Sequence, residues 1–154
     1  MTVSPDRDSP AGHDRLLYSL TETIPYIKFL GIAFGREGDE LTARLAFDPM
    51  LIGNPFGPAL HGGVTAAFLE VAALIELSWR LRLTEDQQST AQRVPKTISF
   101  SVDYLRPGNP EDAYARAVIT RSGRRFASVH VEGWQQDRSR LFAQATGHFQ
   151  LPAI

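Results

Sequence analysis

Hydrophobic positions recur with two different periods along this chain. In the C-terminal half they alternate: Ile98, Phe100, Val102 and Tyr104 are interleaved with Thr97, Ser99, Ser101 and Asp103. A period of two predicts a half-buried strand, and Arg106-Pro107-Gly108-Asn109-Pro110 ends it. Further strands are predicted over Ala113 to Arg121 and Arg125 to Gln135, joined by the tight turn Ser122-Gly123-Arg124. A last one covers Leu141 to Leu151 after Gln136-Asp137-Arg138-Ser139. Nearer the N-terminus, Leu41, Ala43, Leu45 and Phe47 alternate up to Asp48-Pro49. With the apolar run Tyr26 to Phe34, across the turn Gly35 to Asp39, they predict a hairpin.

The other period is helical. Leu16, Leu17 and Leu20 are spaced for a short helix over Asp14 to Thr23, stopped by Pro25. The strongest apolar segment follows the Gly/Pro-dense loop Leu51 to Leu60 and predicts one long helix from His61 or Gly62 to about Leu83. A polar connection over Thr84 to Ser89 and a lead-in at Gln92-Arg93 carry the chain to the next strand. In the last strand Ala143, Ala145 and Gly147 share a face, as do Ala127, Val129, Val131 and Gly133 in the one before. Small side chains there leave room for the Ala-rich helix. An α+β domain with an antiparallel sheet curled around one buried helix is predicted.

Composition narrows the chemistry. The 154 residues suit a single domain over 14–154, with Met1 to His13, rich in Ser, Pro, Asp and Gly, read as a disordered tail. A net charge of −1 gives no support to nucleic-acid binding. The absence of cysteine removes thiolate nucleophiles and disulfides. Neither a signal peptide nor the roughly 20 apolar residues of a membrane span can be read, so a cytoplasmic protein is expected. His61, His130 and His148 have no ligand-like spacing with Asp or Glu; no metal is expected, and the two strand histidines read as solvent-facing or network residues.

One residue breaks the helix pattern. Glu70 has Ala66, Ala67, Ala73 and Leu74 as its helical neighbours. A carboxylate among apolar side chains faces desolvation unless it is paired, hydrogen-bonded or protonated, so it is the first candidate for chemistry. Glu76 has Arg80 four residues on and reads as an exposed structural ion pair contributing a few tenths of a kcal/mol. His61, at the end of the Gly/Pro loop, suits a helix-start anchor better than a base, though proton transfer stays open.

The run Asn54-Pro-Phe-Gly57-Pro-Ala-Leu-His61-Gly62-Gly63 with Glu70 on the following helix, the stretch Val102-Asp103-Tyr104-Leu105-Arg106-Pro107-Gly108 and the Ser122-Gly123-Arg124-Arg125 turn resemble the hotdog-fold acyl-CoA thioesterases of the phenylacetate-degradation (PaaI-like) type. The likeness runs from about Ile24 to Leu151. It implies a hotdog fold, homodimers that often pair into tetramers, and acyl-CoA bound between subunits, with CoA part of the substrate and no separate cofactor. It also implies roles. Glu70 matches the catalytic carboxylate, acting on a thioester held by the other subunit. Gly62 matches the glycine whose N–H polarises the carbonyl, and Asn54 the polar residue that orients water or the carboxylate. Many relatives carry Asp where this chain has Glu70.

Glycines at positions 62 and 63 leave the helix start open to close approach, and Glu70 suits either a general base or a nucleophile forming an anhydride. The turn Ser122 to Arg125, with Arg106, offers cationic forks and backbone donors for the CoA phosphates, or else a solvated hairpin. Phe56, Phe68 and Trp79 are candidates for the acyl pocket, expected to take small, aryl or medium groups. Two alternatives compete: a non-catalytic acyl-CoA-binding hotdog protein, and a hotdog dehydratase or hydratase. The latter resembles a pattern with a loop histidine where this chain has Phe56. No Gly-x-Ser-x-Gly supports an α/β-hydrolase.

Overall fold

The computed structural model describes residues 9–84 and 94–152. Two helices open it, α1 (Pro10–Glu22) and α2 (Pro25–Leu30), followed by the hairpin β1 (Ile32–Glu37) and β2 (Glu40–Leu45). A 3-10 turn at Pro49–Leu51 leads into a small hairpin, β3 (Ile52–Asn54) and β4 (Ala59–Leu60), and this delivers the chain to α3 (Gly62–Thr84). Four strands complete it: β5 (Lys96–Tyr104), β6 (Ala113–Ser122), β7 (Phe126–Trp134) and β8 (Ala143–Gln150). The six long strands form one antiparallel sheet in the order β1-β2-β6-β7-β8-β5. This is the hotdog fold.

Helix α3 is apolar on most of its circumference, the pattern of a buried helix. Phe68, Leu69, Ile75, Leu77 and Trp79 are fully enclosed. The inner face of the sheet meets them with Ala113, Ala115, Ala127, Val129, Val131, Ala143 and Ala145, all buried. Small residues in the middle strands let the helix lie close, as the alternation predicts. Gly147 is an exception. A Cβ there would lie 2.7 Å from ring atoms of both Phe100 and Phe149, so aromatic rings take up the room and not the helix.

The N-terminal reading needs correction. Residues 10–13 belong to α1, not to a tail: Ser9 Oγ accepts the Gly12 N–H at 3.0 Å and Pro10 occupies the first helical turn. A hydroxyl cap followed by proline starts a helix rather than breaking one. Leu17 and Leu20 of α1 are buried in the common core. Residues 1–8 lie outside the described residues, as does the polar connection beyond Thr84 with its lead-in at positions 92 and 93. The stretch 51–60, expected as plain loop, holds β3 and β4, with Leu51 and Leu60 buried as anchors. The predicted burial of one face of β5 is also only partly met. Ile98 is 56% and Tyr104 57% exposed, because β5 is the last strand of the sheet and pairs with β8 alone.

Candidate active site

The start of α3 is tied down atom by atom. The His61 N–H donates to Leu51 O at 2.8 Å, and the His61 carbonyl accepts Thr65 N–H at 3.1 Å. Its ring folds back to cap the helix, Nδ1 accepting Gly63 N–H at 2.9 Å. An acceptor at Nδ1 places the proton of the neutral ring on Nε2. The cap therefore occupies the amide of Gly63. The amide of Gly62 has no hydrogen-bond partner among the described residues. It is an orphan donor at the positive end of a 23-residue helix.

Two residues that the sequence did not single out hold this geometry. Gly53 passes so close to His61 that a Cβ would sit 2.7 Å from the His61 Cα. Tyr104 donates its hydroxyl to the carbonyl of Gly62 at 2.8 Å, and its ring lies 3.5 Å from where a Cβ on Gly62 would stand. Gly53 stood beside Asn54, and Tyr104 lay inside the Val102-to-Gly108 stretch, so the signals were present without the contacts.

Glu70 is half-buried and makes no hydrogen bond or ion pair with any described residue. It lies on a line along α3 with Gly63, Ala66, Ala67 and Leu74, none of them fully buried in the single chain. The deeper carboxylate is Glu76, only 6% exposed, about 120° round the helix from Glu70. Its partner is the expected one, Arg80 at 2.7 Å, but the pair is not on an open helix face. It lines a cleft of about 410 Å³ between β2 and β6, with Glu40, Leu41, Arg116 and Ile119. Burial pushes the Glu76 carboxyl above its ordinary value, against the opposing pull of Arg80.

This has a stability consequence. A carboxyl raised by folding favours the native state while protonated, and that contribution is lost as pH rises from 4.5 through the raised folded value. Glu76→Gln is therefore expected to flatten the fall in Tm over that range, as measured by thermal unfolding at a series of pH values. Arg80→Met would leave the carboxylate without its partner. A loss of about 2 kcal/mol is expected in urea unfolding, below the figure for a wholly buried pair because the Arg80 side chain is 38% exposed.

A sequence model described as the acyl-CoA thioesterase N-terminal domain matches residues 53–150. The chain belongs to this acyl-CoA thioesterase family. The medium/long-chain acyl-CoA thioesterase YigI of Escherichia coli K12 is 36% identical over 135 residues, covering 83% of this chain and 86% of YigI. Among solved structures, a Shewanella oneidensis protein related to the thioesterase superfamily is 26% identical with a TM-score of 0.76, over 91% of this chain and 97% of that one. The E. coli PaaI protein from the phenylacetic acid degradation operon is 16% identical, with a TM-score of 0.73 over 92% and 94%, a likeness of fold.

The thioesterase candidates named from sequence do not all converge. Gly62, Gly63 and His61 meet at the helix start, and Glu70 is two turns along. Asn54, at the end of β3, is exposed and spends its Oδ1 on the Phe56 N–H at 3.0 Å, closing a local turn. Phe56 at the tip of that hairpin is 97% exposed. Phe68 and Trp79 are core residues, 0% exposed, and leave no surface to line an acyl pocket. Trp79 also meets the His13 ring of α1 edge-on, 5.8 Å between centroids. Arg106 is exposed just after Tyr104, and its backbone N–H donates to Phe142 O at 3.1 Å.

The basic turn Ser122, Gly123, Arg124 and Arg125 is exposed at the opposite end of the sheet. Phe126 pairs with Gln150, which pairs with Lys96, whereas Tyr104 beside Gly62 pairs with Ala143. The run of β5 between those rows is roughly 27 Å at ~3.4 Å per residue. Within one chain the turn and the helix start are far apart. His148 Nδ1 of β8 lies 2.8 Å from Ser128 Oγ of β7, and within β7 His130 Nε2 lies 3.8 Å from Glu132. Among the described residues no three His, Asp or Glu are grouped to hold a metal, and no helix is long and apolar enough to cross a membrane.

Proposed function

We propose that this protein hydrolyses medium- to long-chain acyl-CoA thioesters to the free acid and CoA, with the two halves of the site supplied by different copies of the chain. The observation that carries the reading is the division of labour at the helix start. His61 consumes the Gly63 amide and leaves the Gly62 amide free to receive a developing oxyanion, while Glu70 stands unpartnered further along the same helix. The acyl class comes from the likeness to YigI.

Helix geometry argues for two copies. Gly62 and Glu70 are ~12 Å apart along the axis at 1.5 Å per residue, too far to touch one carbonyl. In an antiparallel pair of α3 helices crossing at Ala66, each Glu70 faces the Gly62 amide of the other copy. The small residues Gly63, Ala66 and Ala67 on the open line permit close approach. Joining two sheets at the uncovered β5 edges also brings the basic turn of one copy round to the Gly62 end of the other, where the CoA phosphates would lie. A homodimer follows, and a dimer of dimers is its extension.

In the general-base route, Glu70 takes a proton from water as the water oxygen attacks the carbonyl, and the C–S bond breaks to release CoA thiolate, which is then protonated. In the nucleophile route, a Glu70 oxygen attacks instead, CoA leaves, and water opens the resulting anhydride. Label found in Glu70 after a single turnover in ¹⁸O-water would identify the second route, with water opening the anhydride at the Glu70 carbonyl. The primary test is free-thiol release across acyl-CoAs of increasing chain length. Turnover rising with chain length into the medium and long range is expected. Tight binding of the same esters with no thiol released would overturn the assignment.

A further inference from the structure

We infer that Tyr104 is a positioning residue for the reaction, holding the Gly62 amide in its productive orientation through the hydrogen bond from its hydroxyl to the Gly62 carbonyl. The inference rests on the proposed role of the Gly62 N–H and adds to it a residue 42 positions away in sequence.

The need for such a residue arises from Gly62 itself. A glycine at the first position of a helix is free to leave helical φ and ψ, since it has no Cβ to restrict it, and helix ends fray. An oxyanion donor must instead point in one direction before the substrate arrives. The Gly62 N–H lies in the plane of the His61–Gly62 peptide, and how that plane stands against the next one is set by φ and ψ at the Gly62 Cα, which holding both planes fixes. The preceding plane is fixed by the His61 carbonyl accepting Thr65 N–H. The following plane is fixed twice, by Tyr104 Oη on the Gly62 carbonyl and by Gly63 N–H on His61 Nδ1.

Tyr104 is also well placed to serve as a fixed post. It closes β5, paired to Ala143 of β8, and the next two amides, Leu105 and Arg106, both donate to Phe142 O at 2.9 and 3.1 Å. The ring is 57% exposed, so its burial contributes little to the fold. A large aromatic side chain held out over a glycine, with its only polar atom on that glycine's carbonyl, is better explained by what it holds than by what it buries. Support from a rigid strand is what a precisely aimed donor requires.

The test compares wild type, Tyr104→Phe and Glu70→Gln with one medium-chain acyl-CoA. The phenylalanine variant keeps the ring and removes only the hydroxyl. A kcat lower by roughly five- to tenfold is expected, the loss of about one neutral hydrogen bond's worth of orientation, with KM within twofold and Tm unchanged. Hydrogen exchange at the amides of Gly62 and Gly63 should quicken at the same time. Wild-type kcat, or a rise in KM alone, in the phenylalanine variant would overturn the inference while leaving the thioesterase reading intact. A fall in Tm matching the activity loss would assign Tyr104 a merely structural part and overturn it too. If wild type releases no thiol, the reading on which the inference rests has failed and the inference falls with it.

Discussion

Glu70→Gln is expected to lower kcat for a medium-chain acyl-CoA by roughly 10²-fold or more, the typical contribution of a positioned general base, with little change in substrate affinity or stability. The substitution preserves size and shape and removes only the ability to take a proton or attack a carbonyl. Its effect on the fold should be small for a specific reason. Glu70 has no hydrogen bond or ion pair among the described residues, so the amide inherits no broken contact. Glu76 offers the internal comparison. It is the more deeply buried carboxylate, and burial raises its carboxyl above the ordinary value, yet Arg80 binds it and its cleft opens between β2 and β6, away from the Gly62 amide. Glu76→Gln should alter the pH dependence of stability and leave turnover within a few-fold. Equal thiol release by wild type and Glu70→Gln would remove Glu70 from the mechanism, and a larger loss for Glu76→Gln would move the chemistry to the β2–β6 cleft.

The contrast between the two glutamates also marks where sequence reasoning reaches and where it stops. Periodicity located α3 and the four strands β5 to β8 to within one or two residues of their observed ends, because each carries a long uninterrupted pattern and a clear turn signal at its limits, though not that β5 crosses over to pair with β8. The helix start was legible for the same reason: a Gly/Pro loop, a histidine and two glycines allow few arrangements. Burial was harder. Four apolar neighbours made Glu70 look the more deeply enclosed, but burial depends on which side of α3 the sheet and α1 cover. That is a property of topology, and it places Glu70 on the open line and Glu76 inside. Phe68 was lost as a pocket residue by the same ambiguity, since a large apolar side chain on a buried helix reads alike whether it meets substrate or sheet. The basic turn was visible as chemistry but not as geometry. Strand register alone reveals that it stands at the far end of the sheet from Gly62. Tyr104 acts on a residue 42 positions away, and Gly53 on His61 across the intervening hairpin; both contacts are made by the fold and not by local pattern.

Gly53→Ala tests whether the loop is built to the tolerance that this chemistry demands. The added Cβ would meet the Cα of His61 at 2.7 Å, a contact with main chain and not with the end of a flexible side chain, so the β3 segment or the helix start must move. Either shift is transmitted directly, because His61 carries the N–H bond to Leu51, the ring cap on Gly63 and the peptide that bears the Gly62 amide. Displacement of a reacting geometry by ~1 Å can cost about 10²-fold, and a loss of that order in kcat/KM is expected for Gly53→Ala. Forcing a methyl into a tight contact should also destabilise the fold by about 1–3 kcal/mol, which urea unfolding would read independently. Gly57→Ala in the same loop is the matched control. Its Cβ would meet only Asn54 Nδ2, at an ordinary 3.7 Å, and activity within twofold of wild type is expected. If Gly53→Ala retained full activity while Tm fell, the loop would be a structural brace with slack to spare at the helix start. If both alanine variants lost activity together, the fault would lie in the hairpin's flexibility and not in the contact between Gly53 and His61.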